Sequence, residues 1–200
     1  MEIVAITLPE TPHRTDRLKK HLSEIGLESK FITGIHAKTF GLLTAHTYEY
    51  DFPNEGYHIP SKHVGLFLSH YLCWQIAALS EHRTTLILED DALFDSPVYT
   101  KLIAIENYLH GNNYDMVFVG SGNCTDKPKI EIAPSLYEVQ YPQCTHAYMI
   151  TREAAQRLLI EQRDCFAPID LALIHKSLPN MKVLTVLPRL ASQYGQEIMP

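Results

Sequence analysis

The chain has 200 residues, 46% of them hydrophobic and 20% charged, with a formal net charge of −6 at pH 7. That balance excludes a disordered chain and supplies enough apolar surface for one substantial core. The only basic cluster, Arg14, Arg17, Lys19 and Lys20, is small, which argues against nucleic acid as the main partner.

The N-terminus, MEIVAITLPE, has Glu2 where an export signal carries positive charge, and its apolar run is short, so no leader is expected. Residues 2–8 read as a strand ended by Pro9, and Thr11-Pro12 offers an N-cap with proline at the first helical position. Leu18, Leu22 and Ile25 then recur at helical spacing until Gly26, and a second strand is expected at 29–33. Residues 34–60 show no clear period and read as a long loop or small excursion from the core. Tyr48, Tyr50 and Tyr57 lie there beside Asp51 and Glu55, a set suited to a polar, ring-bearing ligand or to simple capping of the fold.

Residues 64–80 (VGLFLSHYLCWQIAALS) are uncharged but just short of a membrane span, and Ser69, His70 and Gln75 interrupt them; a buried helix is predicted, with no transmembrane segment. There follow a strand at 84–88, a helix over 97–110, and a strand at 115–119 closing on Gly120-Ser121-Gly122. Strands at 136–140 and 145–151, a helix at 152–162, a helical stretch near 169–177 and a strand at 182–187 complete the chain. Strands alternating with helices predict a single α/β domain over 1–200, with a mixed, mostly parallel sheet covered on both faces. Cys73, Cys124, Cys144 and Cys165 show neither a C-x-x-C nor a zinc-type spacing with histidine, so reduced thiols of a cytoplasmic protein are expected.

Several catalytic signatures are absent. No P-loop, G-x-G-x-x-G or G-x-S-x-G motif occurs, and Leu8-Pro9-Glu10-Thr11 stands where a haloacid-type phosphatase would have D-x-D-x-[TV]. Ser69-His70 resembles a nucleophile and base, but adjacent helical residues do not face each other. His70 therefore reads as a structural residue that pins a loop or helps to hold the site.

The informative stretch is TLILEDDALF (85–94), where a buried-type strand runs into Glu89, Asp90 and Asp91. Three adjacent carboxylates repel and raise one another's pKa values unless a cation or hydrogen-bond donors sit among them. Strand carboxyl ends are where α/β sheets collect ligands. Acids there could hold Mg²⁺ or Mn²⁺, which complete their shells with phosphate oxygens and water. Alternatively, one or two of them cap the next helix and the rest face solvent.

LILEDDA, the Gly65 to His70 segment with Trp74, YDMVFVG, CTHAYMITREAAQRLL (144–159) and PID (168–170), in that order, resemble glycosyltransferase family 25, as does the N-terminal ITLPETPHRTDRLKKHL. The chain departs from that family at Thr7, where Asn is frequent, at Ile35-His36-Ala37, and at Lys62-His63-Val64-Gly65. The resemblance implies an A-type glycosyltransferase fold, a UDP-hexose donor with galactose as first expectation, and inversion at the anomeric carbon. It further implies a saccharide or glycolipid acceptor, as in lipooligosaccharide or lipopolysaccharide biosynthesis, and a cytoplasmic place that extends to peripheral contact with the inner face of a bacterial membrane. The chain ends at Pro200 without a basic or amphipathic tail, which leaves soluble substrates or a trimmed chain open.

On this resemblance Asp91 holds the metal, Glu89 lies near the ribose or a metal-bound water, and Asp90 supports them. Thr7, Leu8, Arg14, Glu89 and Asp90 are expected at the donor; Arg14 or Arg17 meets the diphosphate or faces water. His146 is a further metal ligand, a phosphate donor, or a packed strand histidine. Asp170 is the expected base for the acceptor hydroxyl, with a helix N-cap as its other reading and Asp115 as second choice. Two rival functions use the same features: a metal-dependent nucleotidyl- or phosphotransferase, and a non-catalytic carbohydrate-binding domain.

Overall fold

The structure, a computed structural model, describes residues 1–36, 49–52, 55–58, 61–95, 98–120, 130–139, 142–163 and 167–194, with the side chains of 49–52, 55–58 and 61 left aside. Strand β1 (Glu2–Thr7) is followed by helix α1 (Pro12–Glu24) and strand β2 (Lys30–Thr33), then by a hairpin of β3 (Glu49–Phe52) and β4 (Glu55–His58). Next come α2 (Ser61–Leu79), β5 (Thr84–Leu88), β6 (Ala92–Phe94), α3 (Tyr99–Asn112), β7 (Met116–Gly120), β8 (Ile130–Ala133), β9 (Leu136–Glu138) and β10 (Ala147–Thr151). Helix α4 (Arg152–Glu161) and the short α5 (Ile169–Ala172), which continues into wider and tighter turns to Asn180, precede β11 (Val183–Val186) and β12 (Ala191–Gln193).

The main sheet runs β2-β1-β5-β10-β7-β11-β9-β8. Its pairings make β2, β1, β5, β7, β11 and β8 run one way, with β10 and β9 reversed. Every residue of β1, β5, β7 and β10 is buried, because alternate side chains feed two separate cores. Ile3, Ala5, Leu86, Leu88, Val117 and Val119 pack with Leu18 and Leu22 of α1 and Leu102, Ile105 and Leu109 of α3. Val4, Ile6, Ile87, Phe118, Tyr148 and Ile150 pack with Phe67 and Trp74 of α2 and Leu158 of α4. Full burial of each such large side chain stabilises the fold by roughly 1.5–3 kcal/mol.

Local signals set several boundaries. Gly26 ends α1 at φ +73°, a left-handed conformation that lets Leu27 N–H reach Leu22 O at 2.9 Å. Thr151 caps α4 through its side chain, which accepts from Ala154 N–H at 3.2 Å. Among the described residues no helix is long and apolar enough to cross a membrane.

Other expectations need correction. The stretch 34–60, read as a long loop or a small excursion from the core, contains the β3-β4 hairpin; the tyrosine and acid side chains singled out there lie outside the described residues. Strands β6, β8 and β12 were not expected, being three or four residues long; β6 and β12 are defined by each other from distant parts of the chain, and β8 by its hairpin with β9, rather than by their own period. Thr11 occupies the N-cap position of α1 but makes no capping bond, since its hydroxyl points to Leu8 O and to Asp90.

The crossovers position the site. From β1 the chain crosses through α1 to β2 on one side, and later returns through α2 to β5 on the other. Sequence order therefore reverses between β1 and β5, and the loops leaving their carboxyl ends diverge there and open a crevice.

Candidate functional site

That crevice is a cavity of about 390 Å³. Ile6 and Leu8 from the end of β1, Ile35 and His36 beyond β2, Lys62, His63, Leu66 and Ser69 from α2, Arg14 from α1, and Glu89, Asp90 and Asp91 beyond β5 line it. The acidic turn hangs on neighbouring strands: Glu89 N–H donates to His146 O at 2.9 Å, and Tyr194 N–H, just beyond β12, donates to Asp91 O at 2.8 Å.

The three carboxylates part ways. Arg14 Nη2 sits 2.6 Å from Asp90 Oδ1 and 2.9 Å from Asp91 Oδ2, while the Thr11 hydroxyl donates to Asp90 Oδ2 at 3.2 Å. Glu89 turns instead to the interior, where its Oε1 meets His70 Nε2 at 3.3 Å and the Thr145 hydroxyl at 2.9 Å. The like charges are thus held apart by a guanidinium and a hydroxyl on one side and by an imidazole and a hydroxyl on the other.

Their protonation follows from this geometry. Burial alone would raise Glu89, but the hydrogen bonds from His70 and Thr145, together with the attraction of His70 and His146, outweigh it and hold its carboxyl below the ordinary range. Asp90 is raised, by burial and then by Glu89, with Arg14 and Thr11 opposing. Burial and the Glu89 charge push Asp91 up to about 6, against the pull of Arg14. Asp91 Oδ1 is buried and has no hydrogen-bond partner among the described residues. No group of three His, Cys, Asp or Glu side chains poised to hold a metal occurs among those residues. The unpartnered Asp91 oxygen fits instead a hard cation that takes one or two carboxylates and draws its other ligands from phosphate and water.

A raised aspartate favours folding while protonated. Its contribution is complete below the unfolded pKa and is lost as pH rises through about 6, a change on the order of 2 kcal/mol. The free protein is expected to lose melting temperature from pH 4 to pH 7 at this site. If Mn²⁺ with UDP binds through the ionised carboxylate, the pair raises the melting temperature at pH 7.5 and not at pH 5. Thermal melts across that range, with and without Mn²⁺-UDP, check both signs.

The other singled-out residues fall as follows. Leu8 lines the cavity, whereas Thr7 braces β2: its hydroxyl donates to Ile32 O at 3.1 Å and its carbonyl accepts Gly34 N–H at 2.7 Å. Arg17 does not reach the acids; its guanidinium carbon lies 3.6 Å above the Tyr194 ring. His146 is 1% exposed, its Nε2 3.3 Å from Ala191 O and its Nδ1 without a partner among the described residues, and it does not line the cavity. Asp170 is half-buried in the first turn of α5, where it accepts Leu171 N–H at 2.9 Å; its charge partly offsets the burial that lowers the pKa of His63 on the cavity wall. The N-cap position there belongs to Pro168, so the capping role read for Asp170 is not the one it fills.

Asp115, the second choice of base, is a correction. It directly precedes β7, at the end of that strand opposite Gly120, where it binds Arg157 at 3.2 Å and accepts Lys182 N–H at 2.8 Å. Ser121 and Gly122 lie outside the described residues. Lys62 and His63 on the cavity wall, and Thr145 behind Glu89, were not read as site residues. Lys62 and His63 coincide with a departure from the family pattern, a signal that was present; Thr145 had none, because only the fold brings it to Glu89.

Human procollagen galactosyltransferase 2 is 28% identical over 79% of this chain and 27% of its own length. The probable inactive glycosyltransferase 25 family member 3 of Bos taurus is 23% identical over 80% of this chain and 29% of its own. The chain thus spans under a third of the length of these curated relatives. A solved glycosyltransferase involved in the glycosylation of the major capsid of PBCV-1 superposes with a TM-score of 0.55 at 13% identity, covering 98% of this chain and 93% of that one. The fold is the A-type glycosyltransferase fold. With residues 1–173 matching the family described as Glycosyltransferase family 25 (LPS biosynthesis protein), the chain belongs to glycosyltransferase family 25.

Proposed function

We propose that this domain transfers a hexose, galactose first, from a UDP-sugar to a saccharide acceptor with inversion at the anomeric carbon. The observation that carries the reading is the pairing, at the β1/β5 crevice, of a carboxylate with an unpartnered buried oxygen, Asp91, with a half-buried arginine, Arg14. A nucleoside diphosphate bridged by a cation presents the complement of both. Mn²⁺ or Mg²⁺, when bound, neutralises charge on the departing diphosphate. Asp91 holds the cation, Glu89 orients the ribose side through its fixed carboxylate, and Arg14 shifts from the carboxylates toward phosphate oxygen. His146 stands behind the acids and supports their turn through its carbonyl. Asp170 takes the proton of the acceptor hydroxyl as the new bond forms on the face opposite the leaving group. The reaction takes place in the cytoplasm or at the inner face of a bacterial membrane, with lipopolysaccharide-type glycans as acceptors.

A second reading is favoured by Arg14, which already sits where a cation would screen Asp90 and Asp91, and by the relative whose name describes it as probably inactive. On that reading the domain binds saccharide without turnover. A panel of UDP-sugars with Mn²⁺, and with chelator as control, separates the two through UDP release. Release of pyrophosphate would indicate the nucleotidyltransferase instead. Asp170→Asn is expected to lower kcat by roughly 10²–10⁴-fold with little change in donor affinity, the signature of a lost base; unchanged kcat would remove Asp170 from the role.

A further inference from the structure

Behind Glu89 lies a chain of polar groups with no access to solvent, and it ends at the protein's single tryptophan. Trp74 Nε1 is 2.9 Å from Tyr148 Oη, Tyr148 Oη is 2.9 Å from His70 Nδ1, and His70 Nε2 is 3.3 Å from Glu89 Oε1. Trp74, Tyr148 and His70 are each 0% exposed. An indole nitrogen can only donate, so Tyr148 accepts from Trp74. The tyrosine's own proton then needs an acceptor, and a buried hydroxyl proton without one is strongly disfavoured. Among the described residues His70 Nδ1 is the acceptor within hydrogen-bond distance. An imidazole that accepts at Nδ1 carries its proton at Nε2, where it faces the carboxylate.

We propose that Trp74, Tyr148 and His70 form a one-way hydrogen-bond relay that locks His70 in the Nε2–H tautomer and makes it the positioning residue for Glu89. Both hydrogen bonds that the Glu89 carboxylate accepts among the described residues, from His70 and Thr145, fall on Oε1. Oε2 is left free of them on a side chain that lines the cavity. The relay thus fixes the carboxylate plane and reserves one oxygen for donor or metal-bound water. Neighbouring rings pack against it: His70 stacks on Tyr148 with centroids 5.7 Å apart, Phe118 lies 5.8 Å from Tyr148, and Phe67 packs edge-on to Trp74 at 6.2 Å. The role assigned to Glu89 rests on the transfer reading; the tautomer does not.

Two measurements test the relay. Nitrogen-15 correlation spectra of the histidine rings at pH 7.5, with the His70 signals identified by their loss in His70→Gln, are expected to show the Nε2–H tautomer in the wild type and a mixture in Tyr148→Phe. An Nδ1–H ring or a doubly protonated ring in the wild type overturns the proposal, with or without any activity. In UDP-release assays His70→Gln, whose amide reaches the Nε2 position, is expected to retain kcat/KM within about threefold, whereas His70→Asn, whose amide reaches only Nδ1, loses about 30-fold, the range of an outer-shell partner. Equal impairment of the two variants also overturns it. If the wild type turns over no donor at all, the transfer reading falls, and the spectrum alone still decides the relay.

Discussion

Asp91→Asn is expected to lower UDP release by about 10³-fold and, at the same time, to stabilise the free protein. Both effects come from the same charge. In the free protein the Asp91 carboxylate lies beside Asp90 and Glu89, shares one guanidinium with Asp90, and leaves a buried oxygen without a partner among the described residues. A neutral amide relieves the repulsion above pH 6, where the native side chain is ionised. For a chain of this size, relief on the order of 2 kcal/mol raises the melting temperature by roughly 4–8 °C. The loss of rate is the counterpart: a cation at a developing charge contributes several kcal/mol to the transition state, at about 1.4 kcal/mol per factor of ten. Stabilisation by Mn²⁺-UDP should disappear in the same variant. A paired measurement of UDP release and thermal melting at pH 7.5 decides it; a variant that is less stable and fully active would mean that the acids are structural.

The second large effect is expected at Gly120, the last residue of β7. A Cβ built there would lie 2.4 Å from His146 Nε2 and 2.7 Å from Ala191 O. Neither neighbour can yield easily, since His146 is 1% exposed and the Ala191 oxygen is backbone in β12. Gly120→Ala should therefore destabilise by about 3 kcal/mol, at the upper end for overpacking. The displacement would also reach the site. His146 O holds Glu89 N–H, and β12 pairs with β6 directly after the acidic turn. Activity is expected to fall together with stability, the reverse of the pattern at Asp91. Denaturant unfolding of the variant measures it, and a change under about 0.5 kcal/mol, the range of an ordinary surface substitution, would contradict the packing.

The two positions differ in how visible they were. Asp91 announces itself, because three adjacent carboxylates after a β-rich run are costly in any fold that buries the run. Gly120 ends a recognisable strand, but what crowds it comes from 26 and 71 residues further along the chain, at His146 and Ala191. The same divide separates Leu8, placed by the end of its own strand, from Thr145, which reaches Glu89 only because β10 inserts antiparallel beside β5. Strand direction leaves little mark on a fully buried run, since parallel and antiparallel neighbours bury the same alternating side chains.

From residue order alone follow the alternation of strands and helices, the helix stop at Gly26, the acids at the end of β5 and the family resemblance. Each is a local property: period, turn chemistry, or a charge placed against the grain of its neighbours. The tertiary structure decided the rest. It set the strand order that reverses between β1 and β5, the transfer of the Thr11 hydroxyl from helix cap to Asp90, the sharing of Arg14 between two carboxylates, and the buried line from Trp74 to Glu89. These depend on contacts between segments tens of residues apart. Such contacts are chosen by how two sheet faces pack together, a collective outcome that no single stretch of the chain encodes.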